Sequence, residues 1–360
     1  MGRNSKSRRD KKRAREKTRR RRQRAIAQSM NSRLPSREWV QKKLRDHEKK
    51  LAEHDERFGK VRPQIATDFH GHKVVAVGSK LHFGSKWKTF PDFLADYVKT
   101  VLTPEWGNIE IQKPLNERHT ILQWYDTLCH WQREHGDGSG EIFEGVPSGP
   151  VVAYYQIAYD LYVLGHHSSL QTEFVNRLKI SDQFQGVRYE LTIASTFIRA
   201  GFELEFLSEN HDKKRPEFIA THKISGEKIY VEAKSRHRPG VLGFDSKTAG
   251  DDSLNRAGIR RLLHQALLKH VDGPYIICID LNLPPISGSP FDTPIFKEVA
   301  NTIATKERAV PNGGKFLASM ILITNFPHHY GEEGKPDPSK TWILRNCHKI
   351  NITIHDGEMV

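Results

Sequence analysis

The sequence predicts an α/β protein in three parts: a disordered basic tail over 1–33, a mostly helical region over 34–180, and a mixed-sheet αβββαβ core within 181–360. Three observations lead there. Fourteen Lys and Arg fall in residues 1–24 against only Asp10 and Glu16, so +12 of the net +14 sits there and the other 336 residues carry only +2. Through the middle of the chain, apolar residues recur at helical spacings of three and four. After Gly201 the apolar period drops to two.

The tail has no apolar periodicity, and runs such as Arg19-Arg20-Arg21-Arg22 repel themselves, so it is expected to stay unfolded in isolation. Such a segment binds phosphate backbones through counterion release without reading sequence. Because the rest of the chain is almost neutral, only the tail supports a charge-based argument for a nucleic-acid partner. A charged start with no apolar stretch behind it is not a secretory signal, and no run of 18 apolar residues predicts a membrane span. Cys129, Cys278 and Cys347 lie far apart without a CxxC pair, which excludes a zinc ribbon or disulfide framework and fits a reducing, cytoplasmic compartment.

Ser36 is placed to cap a helix in which Val40, Leu44, His47, Leu51, His54 and Phe58 form one stripe, with Gly59 and Pro63 ending it. His72 to Phe83 reads as a hairpin turning at Gly78-Ser79. Helices are expected over Phe90–Leu102, Asn116–His135, and about 150–164, 168–179 and 182–200, with a Gly/Ser-rich loop from Gly136 to Gly149. The large residues of the second helix, among them Trp124, Tyr125 and Trp131, sit at helical spacing and read as core. Strands follow at Phe202–Phe206, Arg215–Thr221 and Lys228–Lys234. A helix over Ser253–His270 leads to the apolar strands Tyr275–Leu283 and Phe316–Phe326.

Chemistry concentrates in the core. In the strand Ile229 to Lys234, Glu232 and Lys234 share one face, so a carboxylate and an ammonium emerge together near the strand's C-terminal end. A tight connection through Gly226 brings Glu217 across from Glu232, and converging carboxylates call for a cation between them. An all-oxygen pair selects a hard ion such as Mg²⁺, which keeps several of its waters. Glu190 interrupts the apolar stripe of Val187, Leu191, Ala194, Phe197 and Ile198, where an acid is costly without a partner. His70-Gly71-His72, His166-His167 and His328-His329 are weaker candidates for a transition metal, since no cysteine or HExxH accompanies them.

Glu190 on a helix, Pro216-Glu217 on a strand and Glu232-Ala233-Lys234 on the next resemble the PD-(D/E)XK, or restriction-endonuclease-like, nuclease superfamily over about residues 182–326. The resemblance implies a metal-dependent nuclease that hydrolyses phosphodiester bonds, a DNA endonuclease more than an RNA enzyme. Glu190, Glu217 and Glu232 would hold Mg²⁺, or Mn²⁺ in its stead, and Lys234 would act on the reacting phosphate. The family usually has Asp where this chain has Glu217, and Asp212 is a substitute candidate five residues earlier. The rival expectation is a catalytically inactive nuclease fold that binds nucleic acid or a protein partner.

Overall fold

The computed structural model describes residues 16–17, 37–61, 63–136, 142, 145–168, 170–207, 214–245, 256–285, 293–311, 314–331, 342–347 and 354–356. Most of the tail, Ser36, Asp212 and half of the Gly/Ser-rich loop lie outside them. The chain divides into two units, Met1–Arg57 and Phe58–Val360. The first contains all but the last residue of a 22-residue helix, α1 (Arg37–Phe58), with Glu38 in its first turn, where an acid favours the helix dipole.

The second unit opens with a three-stranded antiparallel meander of β1 (Ile65–Phe69), β2 (His72–Val77) and β3 (Lys80–Gly84). The β2–β3 pair is the expected hairpin. Its partner β1 is an addition, and His70 and Gly71 make the tight turn between them with positive φ. Helices α2 (Phe90–Leu102), α3 (Pro104–Ile111), α4 (Thr120–His135), α5 (Gly149–His167) and α6 (Thr172–Leu178) follow. Helix α2 starts with a capping box: Asp92 Oδ2 accepts from the Thr89 backbone N–H at 2.8 Å, while Thr89 Oγ1 accepts from that of Asp92. Helix α5 is buried on most of its circumference and forms the axis of this helical part, packing on α2, α4 and α7 (Ser181–Arg199). On α4, Ile121, Trp124 and Leu128 are buried, as expected of core residues.

Next comes a seven-stranded mixed sheet in the order β10-β9-β8-β7-β6-β5-β4. Its strands are β4 (Phe202–Phe206), β5 (Phe218–His222), β6 (Lys228–Ser235), β7 (Tyr275–Asp280), β8 (Met320–Asn325), β9 (Trp342–Cys347) and β10 (Ile354–Asp356). The neighbours β6–β7 and β7–β8 run parallel and the others antiparallel, so the protein is mixed α/β, as the sequence predicts at that level. Helix α7 lies on one face, where Val187, Leu191, Ala194 and Ile198 join Phe218, Ala220, Val231, Ala233 and Cys278 in one core. On the other face, α8 (Arg260–Ala266) and α9 (Pro294–Arg308) cover Tyr275, Ile277, Ile279, Ile321 and Ile323. Successive residues of β7 therefore serve opposite cores, which explains its unbroken apolar run. Burial of each such Leu or Ile contributes roughly 1.5–3 kcal/mol.

The core that holds α7 to the sheet also contains residues of α2, α4 and α5. The helix expected over Ser253–His270 is shorter. Residues 256–259 are irregular because Gly258 takes a left-handed φ of 62°, and helix begins only at Arg260. No helix among the described residues is long and apolar enough to cross a membrane.

Candidate active site

Strand β6 is the centre of the site. Its antiparallel pairing with β5 sets Phe218 opposite Val231, and the Glu217 backbone N–H donates to Val231 O at 3.1 Å. Glu217 and Glu232 thus emerge side by side on adjacent strands, in the register expected from the Gly226 turn, which forms with φ of 71°. Lys234 bridges them: its Nζ lies 3.2 Å from Glu217 Oε1 and 2.8 Å from Glu232 Oε1. The two carboxyl oxygens therefore fall within about 6 Å of each other. Lys269, just past α8, reaches the same Glu232 oxygen at 3.3 Å and donates to Arg215 O at 2.8 Å.

Glu232 is the most deeply set of these groups, with 0% of its side chain exposed. Its Oε1 meets both ammonium groups at ion-pair distance, and neither Oε1 nor Oε2 has a hydrogen-bond partner. Burial first, and then the Glu217 charge, push its pKa up to about 7 despite Lys234 and Lys269. Burial also works against the charge on Lys234, but Glu232 and Glu217 outweigh it and raise its pKa, so its ammonium persists across the physiological range.

Glu190 stands apart in its partner. Arg177 of α6 binds its Oε1 at 2.7 Å, which supplies the counter-charge that an acid in an apolar stripe needs. Burial and the charge of Glu217 nevertheless raise its pKa, so Glu190 feels the neighbouring carboxylate. Among the described residues, no three His, Cys, Asp or Glu side chains form a group able to hold a metal ion. Of the four residues singled out in the sequence, the structure joins Glu217, Glu232 and Lys234 directly and holds Glu190 on Arg177. Sequence spacing left Arg177 and Lys269 unmarked, because each meets its acid through the fold.

The histidine pairs have other duties. His166 Nδ1 accepts from the Gly78 backbone N–H, tying the hairpin turn to α5, and His329 Nε2 contacts Asn282 Oδ1 at 2.9 Å. His70 sits in the β1–β2 turn. Asp212 lies outside the described residues, so Glu217 is the described acid opposite Glu232.

A buried carboxylate without a hydrogen-bond partner, beside a half-buried second one, suits a hard cation that retains water, such as Mg²⁺. Compared with known protein families, curated proteins and solved structures, the chain matches none of them.

Proposed function

We propose that this chain is a metal-dependent phosphodiesterase of the PD-(D/E)XK type, a DNA endonuclease whose basic tail adds sequence-independent hold on the duplex. The observation that carries the reading is Glu232: wholly buried, facing Glu217 across two strands, and left with an oxygen that no donor satisfies. A carboxylate with a pKa raised to about 7 gains from a further cation beside it.

Glu217 and Glu232 would hold Mg²⁺, which when bound supplies Lewis-acid polarisation of the phosphate and acidifies attacking water. Lys234 keeps its proton between two carboxylates, so it acts as a fixed positive charge and not as a base. That charge stabilises the negative charge that develops on the phosphoryl oxygens in the transition state. Glu190, neutralised by Arg177, supports the site electrostatically. Lys269 holds Glu232 in place and gives way when a divalent ion takes up the carboxylate charge.

The three acids Glu190, Glu217 and Glu232 face three bases, Arg177, Lys234 and Lys269, and this balance favours a second reading. It is a nuclease fold in which the ion network is structural and the chain only binds nucleic acid or a partner protein. Supercoiled plasmid and single-stranded DNA, incubated with and without Mg²⁺, separate the two. The enzyme reading expects Mg²⁺-dependent nicking that Glu232→Ala removes. No cleavage by the wild type under Mg²⁺ or Mn²⁺ supports the structural network.

A further inference from the structure

A cleft of about 550 Å³ opens where the β2–β3 hairpin, α2, the end of α5 and α6 meet, a volume within the roughly 300–1,000 Å³ of small-molecule sites. Val101 of α2, Leu170 ahead of α6 and Val175 within α6 give it an apolar wall. Close backbone packing holds it open. Gly78 turns the hairpin with φ of 58°, and its backbone N–H donates to His166 Nδ1 at 3.3 Å. A Cβ on Gly78 would come within 2.9 Å of Gly165 O, and a Cβ on Gly165 would collide with the Tyr97 hydroxyl. The hairpin, α5 and α2 therefore meet here only through glycine.

The lining carries positive charge and no negative charge. Lys80 of β3 and Lys179, just past α6, have no ion-pair partner among the described residues, and no described Asp or Glu lines the cleft. The neighbouring acids are engaged elsewhere. Asp96, one residue before Tyr97, accepts from Trp87 Nε1 at 2.9 Å and pairs with Lys99 at 3.1 Å. Glu173, beside Thr172, puts its charge on Arg177. His82 stays neutral, because burial and then the Lys80 charge lower its pKa. Its ring packs edge-on against Tyr97, with centroids 5.3 Å apart. Tyr97 is only 5% exposed, yet its hydroxyl has no hydrogen-bond partner among the described residues. Burial pushes its pKa up to about 12, so the hydroxyl keeps its proton and can donate. A buried hydroxyl left without an acceptor is costly, and a ligand in the cleft can supply one.

We propose that this cleft binds a nucleoside monophosphate. Lys80 and Lys179 take the phosphate dianion, the Tyr97 hydroxyl donates to a ligand acceptor, and the flat base covers Val101, Leu170 and Val175. Inorganic phosphate would use the two ammonium groups but leave the apolar wall in water, and a sugar phosphate is polar throughout. The site shares no residue with the Glu217–Glu232 pair and does not rest on the nuclease reading.

The test is isothermal titration of the full chain with adenosine 5′-monophosphate in EDTA at constant ionic strength. Ribose 5-phosphate and inorganic phosphate are titrated beside it. Two variants are compared: the double substitution Lys80→Gln with Lys179→Gln, and Tyr97→Phe, which removes only the hydroxyl. Circular dichroism checks that both fold, and should the double variant fail to fold, Tyr97→Phe alone carries the test. Every variant keeps the basic tail, so binding to the tail is common to all. Saturable single-site binding of the nucleotide is expected. It should weaken about tenfold or more in the double variant and about threefold or more in Tyr97→Phe, as loss of hydrogen bonds to a charged and a neutral group predicts. Ribose 5-phosphate and inorganic phosphate should bind about tenfold or more weakly than the nucleotide, for want of the base against the apolar wall. Absence of saturable nucleotide binding in the wild type, undiminished binding by either folded variant, or equal binding of ribose 5-phosphate or inorganic phosphate overturns the proposal.

Discussion

The two buried charge clusters on this sheet differ in what balances them. Around β5 and β6, three carboxylates meet three cations, and the strongest departure from ordinary behaviour is a glutamate whose pKa rises to about 7. At the strand ends, Arg188 pairs with Asp280, and Arg188 Nε and two nitrogens of Arg238 lack a hydrogen-bond partner. The first leaves carboxylate oxygens, and the second N–H groups, without a hydrogen-bond partner. Both lie along one stretch of chain: Glu232 and Lys234 within β6, Arg238 just beyond it.

Breaking the second cluster from its balanced side gives the largest effect. Arg188→Met leaves Asp280 buried with no cation beside it and is expected to cost about 3–5 kcal/mol in chemical unfolding. Arg238→Met removes a buried guanidinium that has no salt bridge among the described residues, and is expected to be neutral or stabilising. Equal losses for the two would mean that both arginines are equally compensated.

In the first cluster, Lys234→Ala is expected to lower the cleavage rate about a hundred- to thousand-fold with little change in DNA affinity, the signature of a charge used in the transition state. A parallel loss of affinity, with the single-turnover rate intact, would make Lys234 a binding residue.

Asp160 calibrates the first cluster, because it is a buried acid outside the Glu217–Glu232 site. It lies on α5, accepts from Thr192 Oγ1 at 3.0 Å, and burial lifts its pKa from 3.8 to about 6. The folded state therefore holds its proton where the unfolded state has released it. Its contribution to stability is present below pH 3.8, falls as pH rises to about 6, and is flat above. Asp160→Asn should remove that decline, a difference of about 3 kcal/mol across the window. Denaturation curves of the two proteins at pH 4 and pH 7 measure it, and an unchanged difference between them would place the titration elsewhere.

The smallest effect is on specificity-free binding. Deleting residues 1–33 should flatten the dependence of DNA affinity on salt, because most of the net charge leaves with them. An unchanged slope would shift the whole electrostatic contact to the folded part.

Much of this was legible in local pattern. Phe202–Phe206 and Lys228–Lys234 alternate because each face of these strands meets a different environment, and that alternation fixes Glu232 and Lys234 on one side. The facing position of Glu217 follows from the short turn at Gly226. Strand β1 escaped because all five of its residues are exposed, so no apolar period marks it. Helix α9 carries a signal that could have found it: Thr293 capping ahead of Pro294, then Ile295, Val299 and Ile303 every fourth residue. Arg177 and Lys269 could not be singled out from spacing, since a surface-type cation announces nothing until the fold brings it to Glu190 or Glu232. The same holds for Arg238, whose position depends on Gln185, 53 residues away. Lys234, by contrast, was visible because its partner lies two residues along the same strand.

The claim on which the rest depends is that Glu217 and Glu232 hold a divalent cation. Titration of the chain with Mn²⁺, followed by electron paramagnetic resonance of the free ion, measures it without reference to cleavage. The wild type should take up Mn²⁺ in a saturable manner, Mg²⁺ should compete for it, and Glu232→Ala should abolish uptake while Asp160→Asn leaves it unchanged. Absence of uptake by the wild type, or undiminished uptake by a folded Glu232→Ala, would contradict the assignment and leave the carboxylates as an ion-pair network alone.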